Sequence, residues 1–152
     1  MSTHASIVVH DGDKYKVVYV HSDGYYEYLG ELLSKHYDHA KAVELVNHGD
    51  VSMVGIDIGT RIDFNWQMEY VYRETGMNFA KQCRFYRRDR GEFGTECRQY
   101  RSLSEALNSG MESYIYIFKD GEWYTEGLSE WGENRILPLR QAIERVRSEP
   151  LE

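Results

Sequence analysis

The sequence predicts an α+β fold: a single domain over residues 1–152, with a mainly antiparallel sheet and three or four short helices. Three observations carry that expectation. Asp11-Gly12 and Asp120-Gly121 each separate two β-rich runs, the strongest short-range hairpin signal. Between these hairpins the apolar spacing changes to the three-and-four period of helices, next to residues that cap helices well. No repeat, low-complexity tract or composition break marks a linker, so one core is expected to serve all the elements.

Taken in order, residues 6–10 and 14–20 are expected to pair as antiparallel strands around a type I′ turn at Asp11-Gly12. In the stretch VVYVHSDGYYEYLGELL the period then changes. Tyr25, Tyr28, Leu29, Leu32 and Leu33 fall on one helix face, with Ser22 or Asp23 available as the cap. Asp38 reads as the N-cap of a second helix through Ala42, Val43, Leu45 and Val46, closed by Gly49. Strands follow at 51–58, 67–73, 82–87 and 97–101. A capping box from Ser102 to Glu105 opens a short helix to about Asn108, ended by Gly110. The run SYIYIFKDGEWYTEG forms the second hairpin. In the closing segment Pro138 suits a first helical turn, and Leu139, Ile143 and Val146 line one side.

A hydrophobic content of 41% supports a packed core rather than a disordered chain. The 13 tyrosines have apolar bodies and polar tips, which suit both half-buried strands and wet interfaces. A formal net charge of −7 argues against general affinity for a nucleic-acid backbone. The charge is uneven, however: residues 61–100 carry eight Lys/Arg against six Asp/Glu, while both flanks are acidic. Cys83 and Cys97 lack metal-ligand spacing and are expected to be reduced thiols. With no signal-like start and no apolar run of membrane length, a soluble cytoplasmic protein is expected.

Two groups of residues suggest chemistry. His21 and Asp23 follow a strand, where they could serve an acid–base site or merely build a turn into a helix. The strip KQCRFYRRDRGEFGTECRQYR interleaves arginine with aromatics. Guanidinium forks bind phosphates and aromatic faces stack bases, so Arg84, Tyr86, Arg87, Arg88, Arg90 and Phe93 are candidate ligand-binding residues. A strand there would place Arg84, Tyr86 and Arg88 on one face and Phe85 and Arg87 on the other. The same residues also fit a solvated edge hairpin. His36, Asp38 and His39 straddle a helix boundary, and GIDIGT (55–60) lacks the GK[ST] ending of a phosphate loop, reading instead as a strand with a bulge or turn. No metal, cofactor or catalytic set is expected.

The block VYVHSDGYYEYLGELLSKHYDHAKAVELVNHGDVSMVG, with FYRRDRGEFGTE and YIYIFKDGEWY, resembles small uncharacterised proteins of tailed phages. The shared pattern is His-x-Asp-Gly-Tyr at His21–Tyr25, Gly-Asp-x-Ser at Gly49–Ser52, and Arg-Asp-Arg-Gly-Glu at Arg88–Glu92. Tyr26 stands where that pattern would have Pro, and Arg87 where it often has His. The resemblance implies an accessory protein that binds and inhibits a bacterial host protein, such as a defence component, without catalysis. Its contact surface would be the Tyr-rich, acidic exterior, and such a surface would also suit a homodimer. A rival reading is a protein that sequesters a nucleotide-like anion through the arginine strip. A third is an enzyme using His21 and Asp23 as acid–base groups on a phosphorylated substrate; as ligand-binding candidates, the same two residues could instead share with Arg88 and Arg90 a pocket that favours an anionic ligand.

Overall fold

Both expected hairpins form, and they meet in one sheet. The structure is a computed structural model that describes residues 3–72, 78–109, 113–126 and 136–148. In chain order the first elements are β1 (Ala5–Asp11), β2 (Lys14–Val20), α1 (Glu31–His36), α2 (His39–Asn47), β3 (Val51–Met53), β4 (Tyr70–Tyr72) and β5 (Asn78–Ala80). Then come β6 (Arg84–Phe85), α3 (Tyr86–Arg90), β7 (Arg98–Tyr100), α4 (Leu103–Ser109), β8 (Tyr114–Lys119), β9 (Glu122–Glu126), β10 (Ile136–Pro138) and α5 (Leu139–Ser148). The main sheet runs β10-β9-β8-β1-β2-β3-β6, with β7 beside β2, and β4 and β5 form a separate ribbon. Most pairings are antiparallel. The exceptions are β1 with β8, and Val20 of β2 with Val51 of β3.

Alternation along the central strands supplies two apolar faces. Ala5, Ile7, Val9, Val18, Val20, Tyr116 and Phe118 face one way and pack against Leu32 and Leu33 of α1, Leu45 and Val46 of α2, and Leu139 and Ile143 of α5. Val8, Val17, Ile115 and Ile117 face the other way, where α4 covers them with Ala106, Leu103 and Leu107. Each fully buried aliphatic or aromatic side chain contributes about 1.5–3 kcal/mol.

Much of the tyrosine excess is core. Tyr26, Tyr28, Tyr37 and Tyr116 are buried, and each hydroxyl finds a partner: Thr125 Oγ1, Val54 O, Gly55 O and Gly24 O respectively. The expected Tyr-rich exterior is therefore not what the fold presents. Among the described residues Tyr70 alone of the tyrosines is more than half exposed.

Several local expectations need correction. The first hairpin turns at Gly12-Asp13, one residue later than expected, because Asp11 still pairs with Lys14 and only Gly12 takes a positive φ, of 65°. The second turns at Asp120-Gly121, both with positive φ, as a type I′ turn requires. Neither Ser22 nor Asp23 caps a helix. Asp23 sits in the left-handed region at φ 56°, Tyr25 is extended, and a π-helical turn over Tyr26–Gly30 precedes α1. Asp38 does cap α2, accepting from Lys41 N at 2.9 Å, and Ser102 Oγ accepts from Glu105 N at 3.1 Å. Pro138 closes β10 instead of opening α5, and the end expected at Gly110 lies outside the described residues.

The largest departures surround the arginine strip. The strand expected over 51–58 stops at Met53, and GIDIGT is an irregular segment with a single bridge from Asp57 to Gln82. The strand expected over 82–87 ends at Phe85, where α3 begins, so there are five α-helices among the described residues rather than three or four. Asp89 explains the change. Its carboxylate reaches back to accept from Phe85 N at 2.7 Å, while Gly91, at φ 69°, closes the helix with its N–H on Arg87 O.

Candidate functional site

Between β3 and β4, residues 54–69 form no helix or strand, yet hydrogen bonds hold them firmly. A structureless connection of this length is uncommon in a small domain and usually carries function. Ile56 N and Asp57 N donate to Ala80 O and Lys81 O at 2.9 and 3.0 Å. Gln82 Nε2 donates to Thr60 O at 2.9 Å, Arg84 Nη2 to Trp66 O at 2.7 Å, and Lys81 N to Glu69 O at 2.8 Å.

Arg88 and Asp89 tie this loop to α3. The Asp89 side chain is fully shielded, and its Oδ1 accepts from Ile62 N and Arg88 Nε, both at 2.9 Å. Arg88 Nη1 donates to Ile58 O and Gly59 O, and Nη2 to Cys83 O at 3.0 Å. Arg88 is thus spent on the chain's own carbonyls, with its guanidinium 4.7 Å from the Phe85 ring centroid.

The other strip residues form the outer surface. Arg90 lies over the rings of Phe64, at 4.4 Å, and Tyr86, at 5.0 Å, and its Nε donates to Glu92 at 2.9 Å. Arg84 also faces Phe64, at 5.5 Å. Arg87 points outward and sits 3.8 Å from Glu96. Burial pushes the Tyr86 phenol pKa up, and its hydroxyl bonds to Ser52. Phe93 is 88% exposed, on a turn where Thr95 Oγ1 donates to Glu92 O at 3.0 Å. The structure therefore brings Arg84, Tyr86 and Arg90 together around Phe64, leaves Arg87 and Phe93 at the rim, and withdraws Arg88 into the framework.

Sequence reasoning missed Phe64 and Trp66 on the loop and Tyr70 at the start of β4. Trp66 is 59% exposed on a tight turn, with Trp66 N on Asp63 O and Asn65 N on the Asp63 carboxylate. Tyr70 is 52% exposed, and its hydroxyl reaches Met53 Sδ on the strand paired with Arg84. The three large apolar residues that are exposed among the described residues all lie on segments 61–70 and 84–93. The Asp63-x-x-Trp66 turn was the one signal in the sequence that could have marked Trp66 as presented rather than buried.

His21 and Asp23 belong to a different device. His4 Nδ1 lies 2.7 Å from the His21 carbonyl, and a carbonyl only accepts, so His4 Nδ1 carries the proton. The Tyr19 hydroxyl lies 3.0 Å from the same nitrogen and shares a hydrogen bond of 2.8 Å with His21 Nδ1. Ser22 N donates to Ser52 O, which links this turn to Tyr86 through Ser52. Among the described residues no hydrogen bond joins His21 to Asp23, and those of Arg88 and Arg90 run elsewhere. Next to the turn, Gly24 packs against Ala5 and its carbonyl accepts from Tyr116 at 2.6 Å. These bonds make HSDG a joint between sheet and helix.

Both cysteines are free thiols. Burial pushes the Cys83 and Cys97 pKa values up, which disfavours the thiolate that nucleophilic chemistry needs. Among the described residues no three His, Cys, Asp or Glu side chains are grouped to hold a metal ion, and no helix is long and apolar enough to cross a membrane. Compared with known proteins, the chain matches no protein family, no curated protein and no solved structure.

Proposed function

We propose that this chain is a non-catalytic binding protein that docks onto another protein through the surface built by residues 61–70 and 84–93. One observation carries the reading: Trp66, Tyr70 and Phe93, the large apolar side chains left exposed among the described residues, all lie on the two segments that also carry Arg84, Arg87 and Arg90. Tryptophan, tyrosine and arginine are the residues that dominate binding energy at protein interfaces. The loop that presents Trp66 is pinned in advance, so little ordering entropy remains to be lost there on association.

The resemblance to tailed-phage accessory proteins directs this reading to a bacterial host protein, with inhibition of a defence component as the outcome. The rival nucleotide reading has weaker support. Arg88, at the centre of the strip, spends its guanidinium on Ile58 O, Gly59 O, Cys83 O and the Asp89 carboxylate, so it offers no fork to a phosphate.

The test is gentle affinity purification of the tagged chain from bacterial lysates, read by native mass spectrometry. A stoichiometric protein partner is expected with the wild type, and its loss with Trp66→Ala or Phe93→Ala. Both substitutions remove exposed side chains, so circular dichroism should be unchanged. A nucleotide-sized adduct that persists in both variants would instead support sequestration of a small anion.

A further inference from the structure

Beside Trp66 the pinned loop leaves a cavity of about 220 Å³, lined by Ile62, Trp66, Met68, Glu69, Lys81 and Gln82. Pockets for drug-sized ligands run about 300–1,000 Å³, so this one suits a single side chain rather than a nucleotide. Ile62, Trp66 and Met68 supply the apolar part of its lining. Its rim is polar, with Lys81 and Glu69 paired at 3.3 Å. The walls are fixed to each other by Lys81 N on Glu69 O, Gln82 Nε2 on Thr60 O and Arg84 Nη2 on Trp66 O. Pockets of this kind, small and fixed beforehand, are where a partner's anchor residue gains most of its binding energy.

Charge narrows the partner further. Segments 60–70 and 81–93 carry six Lys/Arg against four Asp/Glu, on a chain whose net charge is −7. Arg61, next in the chain to Ile62 of the pocket lining, is exposed. The surface is locally basic in an acidic protein. A second copy meeting it face to face would set arginines against arginines.

We propose that the partner inserts one bulky apolar side chain into the pocket beside Trp66, from an acidic segment whose carboxylates meet Arg61, Arg84 and Arg90. This deepens the docking function proposed above and rests on it. The partner class is thus an acidic peptide segment with an apolar anchor, folded into a protein surface or free.

Three synthetic heptapeptides test it on the full chain: one of acidic residues around a central Phe, the same with a central Ala, and a lysine-rich peptide with the Phe. Nitrogen–proton correlation spectra follow the Trp66 indole and the amides of Lys81 and Gln82. Saturable shifts at these three sites are expected with the acidic Phe peptide. The Ala peptide should bind about tenfold or more weakly, as loss of a buried aromatic implies. The Lys peptide should be weaker still, and Met68→Glu should abolish the shifts while leaving the dispersion of the spectrum intact.

Equal response to the three peptides, or shifts that map elsewhere, would overturn the proposal. So would concentration-dependent shifts of Trp66 without peptide, which would assign the pocket to a second copy. The parent reading fails separately. If a captured protein is lost on Phe93→Ala but kept on Met68→Glu, the docking surface stands and the pocket does not. If both variants keep it, the docking surface itself is wrong.

Discussion

Asp89 holds Arg88, its neighbour in the chain, through two bonds: Nε to Oδ1 at 2.9 Å and Nη2 to Oδ2 at 3.2 Å. Adjacent residues seldom pair this way in a strand, where they point to opposite faces. The pair exists because α3 begins at Tyr86, and it is the joint on which the irregular 54–69 loop hangs.

Replacing Asp89 by Ala should therefore be among the most damaging single changes. It would strand a largely buried guanidinium and free the amides of Ile62 and Phe85. Breaking a buried pair from one side costs about 3–5 kcal/mol. Urea denaturation should show a loss of that order, and the 54–69 amides should lose protection from hydrogen exchange first.

Arg90→Ala should behave in the opposite way. Its partner Glu92 is solvent-exposed, and exposed ion pairs are worth about 0–1 kcal/mol, with a similar amount for a cation–π contact. The melting temperature should barely move. Binding of the proposed protein partner, measured by titration calorimetry, should weaken at least several-fold. Arg88→Ala should show the reverse, a large stability loss.

Tyr28 offers a cleaner reading of the core. Its hydroxyl donates to Val54 O at 2.8 Å and accepts from Ala80 N at 3.0 Å, bridging the start of the loop to β5. Tyr28→Phe keeps the ring and orphans two buried backbone groups. A cost of about 1–3 kcal/mol is expected, visible as a lower denaturation midpoint with an unchanged slope.

His48 should make the fold acid-sensitive. It packs on Phe85 at 4.7 Å, and burial first, then the charge of Arg88, push its pKa below the ordinary 6.5. The unfolded chain then binds more protons than the folded one below neutrality. Stability contributed by neutral His48 is complete above 6.5 and falls as pH drops through that value toward the lowered one. His48→Gln should remove this part of the pH dependence. The drop in melting temperature between about pH 7.5 and 5.5 should be smaller in His48→Gln than in the wild type.

The elements that were legible in the sequence are those specified by contacts near in the chain. Asp38 and Ser102 cap as read because a cap needs only the next three residues. The hairpin at Asp120-Gly121 follows from two residues that accept positive φ. The arginine strip was misread because its apolar pattern, Phe85-Tyr86, suits a strand, while the decision lay in Asp89 reaching back four residues and in Gly91 beyond it. Both are visible in RRDRG, but their weight comes from burial, which no local pattern reports. Trp66, Phe64 and Tyr70 stayed hidden for a related reason. The loop has no period, and its shape is dictated by bonds to residues 80–89. The tyrosines misled about the surface because a hydroxyl can be satisfied by a distant carbonyl, as Tyr116 is by Gly24.

The parallel seam between β1 and β8 sets an order on how this protein can come into being. Strand β1 lies between β2 and β8, and Val8 faces Ile117 across the seam. On a ribosome β2 follows within seconds, but β8 begins about a hundred residues later, roughly 5–20 s at ordinary rates of synthesis. During that interval one side of a strand whose first five residues are buried in the finished fold has no neighbour. A nascent chain in this condition is the form most exposed to chaperones, proteases and other nascent copies. Closing that side of the sheet therefore waits for the last quarter of the chain to emerge.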